Sequence, residues 1–252
     1  FEGALNAEPV WSPDGGRIAF ASTRGGRENI YLANADGTGA PERLQQSTSV
    51  QSPGSWSPDG GWLAYAETTP EDQEDVWILP MEGQGREPEP FLTSEFNETS
   101  PRFSADGRWV AYASDESGRF EIFVKQFRAG SGQDGARRRV SRDGGREPVW
   151  SRDGEELFYR DINGERLVAV SIQTDPSLDV GEPRILFDEP NTPPPVFFRG
   201  SSYDAGPDGR FLMISESESR RASMKLVVVL NWFEELKRKM ADASQATDPG
   251  AR

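Results

Sequence analysis

The chain has 252 residues, with 42 Asp and Glu against 28 Lys and Arg, a formal net charge of −14, and no histidine or cysteine. Without imidazole or thiol it offers no Ser-His-Asp or Cys-His nucleophile, no histidine base or metal ligand, and no disulfide, zinc-thiolate or iron–sulfur site. The acidic balance argues against a nucleic-acid or anionic-membrane partner, which needs a basic footprint, and the longest aliphatic run, Leu226 to Leu230, falls far short of the ~20 residues that span a bilayer.

In chain order, one motif recurs. Trp11-Ser12-Pro13-Asp14-Gly15 returns as Trp56-Ser57-Pro58-Asp59-Gly60, Phe103-Ser104-Ala105-Asp106-Gly107, Trp150-Ser151-Arg152-Asp153-Gly154 and, reduced, as Gly206-Pro207-Asp208-Gly209. The aspartates lie 45, 47, 47 and 55 residues apart. Each copy reads as a tight turn: proline presets φ, Ser and Asp bond the nearby backbone, and Gly accepts the positive φ that ends the turn.

A strand of period two follows each turn, with Ile18-Ala19-Phe20-Ala21, Leu63-Ala64-Tyr65-Ala66 and Val110-Ala111-Tyr112-Ala113 placing large residues on one face and alanine on the other. A third strand comes about ten residues later, at Asn29-Ile30-Tyr31-Leu32, Val76-Trp77-Ile78-Leu79, Glu121-Ile122-Phe123-Val124, Leu167-Val168-Ala169-Val170 and Leu226-Val227-Val228-Val229. A shorter fourth strand is expected at Glu42–Leu44, Pro90–Leu92, Arg138–Val140 and Arg184–Phe187. Four strands every ~45 residues is the arithmetic of a β-propeller blade. The predicted fold is therefore an all-β propeller of four-stranded antiparallel blades at 8–48, 49–96, 97–144, 145–190 and 191–230, with the aromatic before each turn wedged between neighbouring blades.

Phe1 to Asn6 reads as the link that follows a preceding blade, as Thr93 to Asn97 follows Leu92. The fifth unit lacks an outer strand, which residues before Phe1 are expected to supply, so the parent ring is expected to have six blades. A helix at 231–240, capped by Asn231 and packed on the propeller, and a flexible tail at 241–252 are expected to follow.

Other motifs read as structure. Asp161-Ile162-Asn163-Gly164 and Asn34-Ala35-Asp36-Gly37 read as hairpin turns rather than Ca²⁺ ligands, Arg137-Arg138-Arg139 as a charged outer edge, Pro193-Pro194-Pro195 as a stiff inter-blade loop, and Glu71 to Asp75 as a solvated loop.

The repeat resembles the WD40-like PD40 repeat of TolB-type propellers, with Pro9, Trp11 to Gly15, Ile18 to Phe20, Ile30, Tyr31 and Asp36-Gly37 matching in the first unit and Pro101 and Pro148 keeping their place in later ones. The stretch from Gly145 through Phe211-Leu212-Met213-Ile214 to Leu236 is similar to the end of propellers fused behind bacterial serine/threonine protein kinases. That resemblance implies an extracytoplasmic sensor or interaction module in a larger bacterial protein, with a kinase and a membrane span upstream.

The chain itself is expected to be non-catalytic and to bind a protein or small-molecule ligand without cofactor or metal. Residues flanking the innermost strands are the candidates for the channel mouth: Asn6, Glu8, Glu98, Ser100, Arg146, Glu147 and Arg199. The alternatives are a propeller lyase or hydrolase using channel carboxylates and arginines, and a regulatory propeller of an absent hydrolase domain.

Overall fold

The computed structural model describes residues 4–71, 73–83, 86–130, 134–175, 177–188, 200–206 and 209–214. Among these it holds four antiparallel sheets with strands in sequence order and a final pair. The first blade is β1 (Asn6–Trp11), β2 (Arg17–Ser22), β3 (Asn29–Asn34) and β4 (Glu42–Arg43). The second is β5 (Val50–Trp56), β6 (Trp62–Thr68), β7 (Glu74–Pro80) and β8 (Glu89–Leu92). The third is β9 (Glu98–Phe103), β10 (Trp109–Ser114), β11 (Glu121–Gln126) and β12 (Arg137–Arg139). In the fourth, β13 (Arg146–Trp150), β14 (Glu156–Arg160), β15 (Arg166–Gln173) and β17 (Arg184–Asp188) form the blade, while the short β16 (Asp179–Val180) pairs with the far end of β15. β18 (Tyr203–Ala205) and β19 (Phe211–Met213) begin a fifth unit. The third strand expected at Leu226, the proline run, the helix at 231–240 and the tail lie outside the described residues.

The recurring turn is built by Ser and Asp. Ser12, Ser57, Ser104 and Ser151 each donate Oγ–H to the aspartate two residues on, at 2.5–2.6 Å. Each serine also accepts the backbone N–H of Arg17, Trp62, Trp109 or Glu156 at 2.9–3.0 Å. The Ser12 hydroxyl and the Gly16 N–H hold the Asp14 carboxyl below its usual range. Ala105 and Arg152 replace the turn proline with no change in this pattern, so proline presets the turn but the side-chain bonds define it. Gly15, Gly60, Gly107, Gly154 and Gly209 all sit at φ 70–76°, the left-handed region that glycine enters freely.

Alternation gives each blade a large face and a small face. Ala19, Ile30 and Leu32 of the first blade meet Trp56, Leu63 and Tyr65 of the second. Ala64, Val76 and Ile78 meet Phe103, Val110 and Tyr112 of the third, and Ala111, Ala113 and Ile122 meet Trp150, Leu157 and Tyr159 of the fourth. Alanine lets the sheets approach, and each fully buried Leu, Ile or aromatic contributes about 1.5–3 kcal/mol. In the fourth blade Phe158 replaces the alanine and meets Phe211 of the fifth unit edge-on, ring centroids 4.9 Å apart.

Three of the four wedge aromatics sit in seams: Trp56, Phe103 and Trp150 are buried, and the two indoles donate to Val10 O and Arg102 O of the preceding blade. Trp11 departs from the expectation, being 58% exposed. It belongs to the large face of the first blade, where no described blade precedes it. Glu71 to Asp75 is also not wholly a loop, since Glu74 and Asp75 open β7.

Candidate functional site

Every innermost strand of the four blades is bulged. The register of β1 on β2 shifts between Ala7 and Val10, and equivalent shifts fall at Pro53/Ser55, between Thr99 and Arg102, and between Arg146 and Val149. In three blades the bulge is an X-Pro pair, Glu8-Pro9, Ser100-Pro101 and Glu147-Pro148, whose first residue stands at φ 55°. A left-handed non-glycine residue is uncommon, and a bulge bends a strand and re-aims its side chains. In the second blade the corresponding residue is Pro53, whose ring forbids positive φ, and Gly54 follows it, closely covered by Pro101 of the third blade.

The bulges turn two carboxylates into the blade seams. Glu8, buried, accepts the Ser52 hydroxyl of the second blade. Glu147, also buried, accepts the N–H and the hydroxyl of Ser202, both at 2.7 Å. Its carboxylate lies 4.0 Å from the Nε of Arg160, the largest fully buried side chain among the described residues, and Arg160 donates to Gly164 O at 2.7 Å.

Beside these strands lies a cavity of about 510 Å³, within the size range of small-ligand sites. Its apolar wall is Trp11, Phe103, Val149, Trp150, Tyr203 and Ile214, and the polar groups on it are Glu8, Arg102, Ser201 and Asp204. Arg102 is the cation of this wall among the described residues. It hangs from the third blade and donates Nη1–H to Gly54 O of the second. Burial pushes the Arg102 pKa down, opposed by the charges of Asp204, Glu147 and Glu8.

The seven residues singled out from sequence do not converge. Glu8 lines the cavity and Glu147 stands behind it at the seam. Asn6 instead borders a second cavity, of about 340 Å³, on the large face of the first blade, where its Oδ1 accepts from Ser22 and Arg24. The Arg146 guanidinium stacks 3.9 Å from the Phe120 ring centroid. Glu98 is 1% exposed, with Oε1 held by the Ser94 hydroxyl at 2.5 Å and Oε2 without a hydrogen-bond partner among the described residues. Burial raises its pKa to about 7 against the Ser94 bond, helped by Asp75 and Glu116. Ser100 holds its bulge, and Arg199 is outside the described residues.

Sequence reasoning passed over Arg102. The place before each wedge aromatic, paired in register with Ala19, Ala64, Ala111 or Phe158, is Val10, Ser55, Arg102 and Val149 in turn. One charge in an otherwise uncharged column is a signal that stacking the repeats reveals. No group of three or more acidic residues that could hold a metal ion occurs among the described residues.

Neither a scan against protein-family models nor a search of curated proteins found a match. Among solved structures, a candidate TolB from Agrobacterium tumefaciens aligns over 83% of this chain and 76% of its own, at 20% identity and a TM-score of 0.61. TolB from Acinetobacter baumannii aligns over 72% and 57%, at 18% identity and a TM-score of 0.50. The Cps50 (Swd1) β-propeller domain of Myceliophteria thermophila aligns over 73% and 58%, at 12% identity and a TM-score of 0.50. The chain thus spans under two thirds of the latter two. At these identities the likeness carries the fold alone, a β-propeller similar to those of TolB.

Proposed function

We propose that this chain is a non-catalytic interaction module that receives a protein segment or small ligand in the cavity at its inner strands. The observation that carries this reading is the cavity itself, where an aromatic wall stands beside a few convergent polar groups. Large exposed apolar side chains around a concavity mark recognition sites, and propellers host binding and catalysis alike, so the fold alone does not choose. The kinase-associated resemblance supports a sensor role outside the cytoplasm, as part of a larger bacterial protein.

The test is selection of peptides from a displayed random library against the purified chain, followed by binding to Trp11→Ala and Ile214→Arg, which strip and block the cavity at exposed positions. Binders lost on both variants support the reading. Binders that ignore both changes, or no binders, sink it.

A further inference from the structure

We propose that the cavity takes a ligand bearing a free carboxylate on an apolar or aromatic body, with the carboxylate held by Arg102 and the body lying against Trp11 and Trp150. This names the ligand chemistry of the site above and rests on that reading.

Three observations carry it. The repeat pattern does not call for an arginine here, because the same register position holds Val10, Ser55 and Val149 in the other blades. Its seam contact, Nη1 to Gly54 O, engages a single donor of the five a guanidinium carries. Arg102 is itself part of the cavity wall, and no ion pair joins it to a described carboxylate. Of the carboxylates whose charge reaches Arg102, Glu8 and Glu147 are turned to Ser52 and Ser202 across their seams, and Asp204, on the same wall, accepts the Ala205 N–H at 2.9 Å and forms no ion pair with Arg102.

The electrostatics point the same way. Arg102 is desolvated more than the charges of Asp204, Glu147 and Glu8 offset, as the downward pKa direction records. An anion delivered to its free edge completes that compensation inside a low-dielectric wall, where a planar guanidinium bonds a carboxylate through two parallel N–H donors. The aromatic wall then sets what else the ligand carries. A lysine here would supply charge but not the fork.

Isothermal titration of the full 252-residue chain with three probes tests this: N-acetyl-Ala-Ala-Phe as free acid, the same peptide as C-terminal amide, and 3-phenylpropionate. The free acid is expected to bind at least about tenfold tighter than the amide, one charge-assisted bidentate contact being worth that ratio. Binding of phenylpropionate alongside the peptide acid assigns the site to small aromatic acids as well; binding of the peptide acid alone assigns it to a chain terminus. Arg102→Gln is expected to bring acid and amide within about twofold of each other, and Arg102→Lys to retain part of the preference. Thermal melting checks that each variant is folded, and the wild-type comparison of acid with amide stands if one is not. Equal binding of acid and amide overturns the anion assignment and leaves the cavity reading in place. If none of the three probes binds while displayed peptides still need Trp11, the assignment also fails; if those fail too, both readings fall.

Discussion

The Glu147 carboxylate crosses from the fourth blade to the fifth unit and takes both the N–H and the hydroxyl of Ser202 at 2.7 Å. Glu8 makes the matching reach from the first blade to Ser52 of the second. Both occupy the left-handed place before a bulge proline, so the local backbone strain and the inter-blade clasp are one device. In the second and third blades that place is Pro53 and Ser100, too short for the reach. The seam between them is bridged by Phe103 N–H to Ser55 Oγ at 2.7 Å and by Arg102 to Gly54 O.

Removing the Glu147 clasp has two consequences. Glu147→Ala strips the two Ser202 donors of their buried acceptor and removes a carboxylate 4.0 Å from the buried Arg160, so a loss of about 3 kcal/mol is expected. Glu147→Gln keeps an acceptor for Ser202 and loses only the charge, which places its cost lower, about 1–2 kcal/mol. Urea denaturation of the two variants checks the order; equal midpoints for wild type and Glu147→Ala would show that the seam does not depend on this carboxylate.

Trp11 and Trp56 share a motif but not a surrounding. Trp56→Ala empties a seam and removes an indole bond to Val10 O at 3.2 Å, for an expected loss of about 3–5 kcal/mol. Trp11→Ala removes a side chain that is mostly in solvent, so a loss below about 1 kcal/mol is expected. Denaturation midpoints decide it: comparable losses would mean that Trp11 is as much a packing residue as Trp56.

That difference marks where the sequence stops being legible. The turn motif, period-two strands and ~45-residue spacing are local properties, and they carry the propeller down to the fourth strands at β4, β8, β12 and β17. The turns at Asp161–Gly164 and Asn34–Gly37 and the arginine edge at β12 were likewise readable. Which copy of a repeated residue faces a described neighbour is not a local property, and Trp11 looks identical to Trp56 until the sheets are placed. The site was harder still. Residues at strand starts look equally close to a channel, yet Arg146 folds onto the Phe120 ring and Glu98 turns inward to the Ser94 hydroxyl, partners that only the placed sheets bring beside them.

Gly15 and Gly107 hold the same turn position at the same φ of 70°, but with different room. A Cβ on Gly15 meets nothing within 4 Å, while one on Gly107 comes 3.2 Å from Pro58 Cδ of the preceding blade. Gly15→Ala is therefore expected to lose about 1–2 kcal/mol from left-handed backbone alone, and Gly107→Ala roughly 1 kcal/mol more from the added crowding. Thermal unfolding of the pair measures the difference, and identical losses would remove the inter-blade contact from the account.

Glu98 gives the chain a pH dependence of defined sign. Its carboxyl sits at about 7 in the folded chain because burial, with Asp75 and Glu116 nearby, disfavours the charge, whereas an unfolded chain returns it to the ordinary carboxylate value near 4.5. Between those values the folded state binds the proton more strongly, so raising the pH through this window removes stability, and none is lost to this group below it. The turn aspartates act in the opposite sense and lower down: Asp14, Asp59 and Asp153, held down by their serines, add stability above the usual carboxylate range and lose it on acidification. Wild type is thus expected to melt at a lower temperature at pH 8 than at pH 5.5. Glu98→Gln, neutral throughout and still an acceptor for Ser94, is expected to flatten that decline. Melting curves of both proteins at the two pH values read it directly, and an unchanged decline in Glu98→Gln would assign the effect to other groups, with Asp75, also raised by burial, the first to replace.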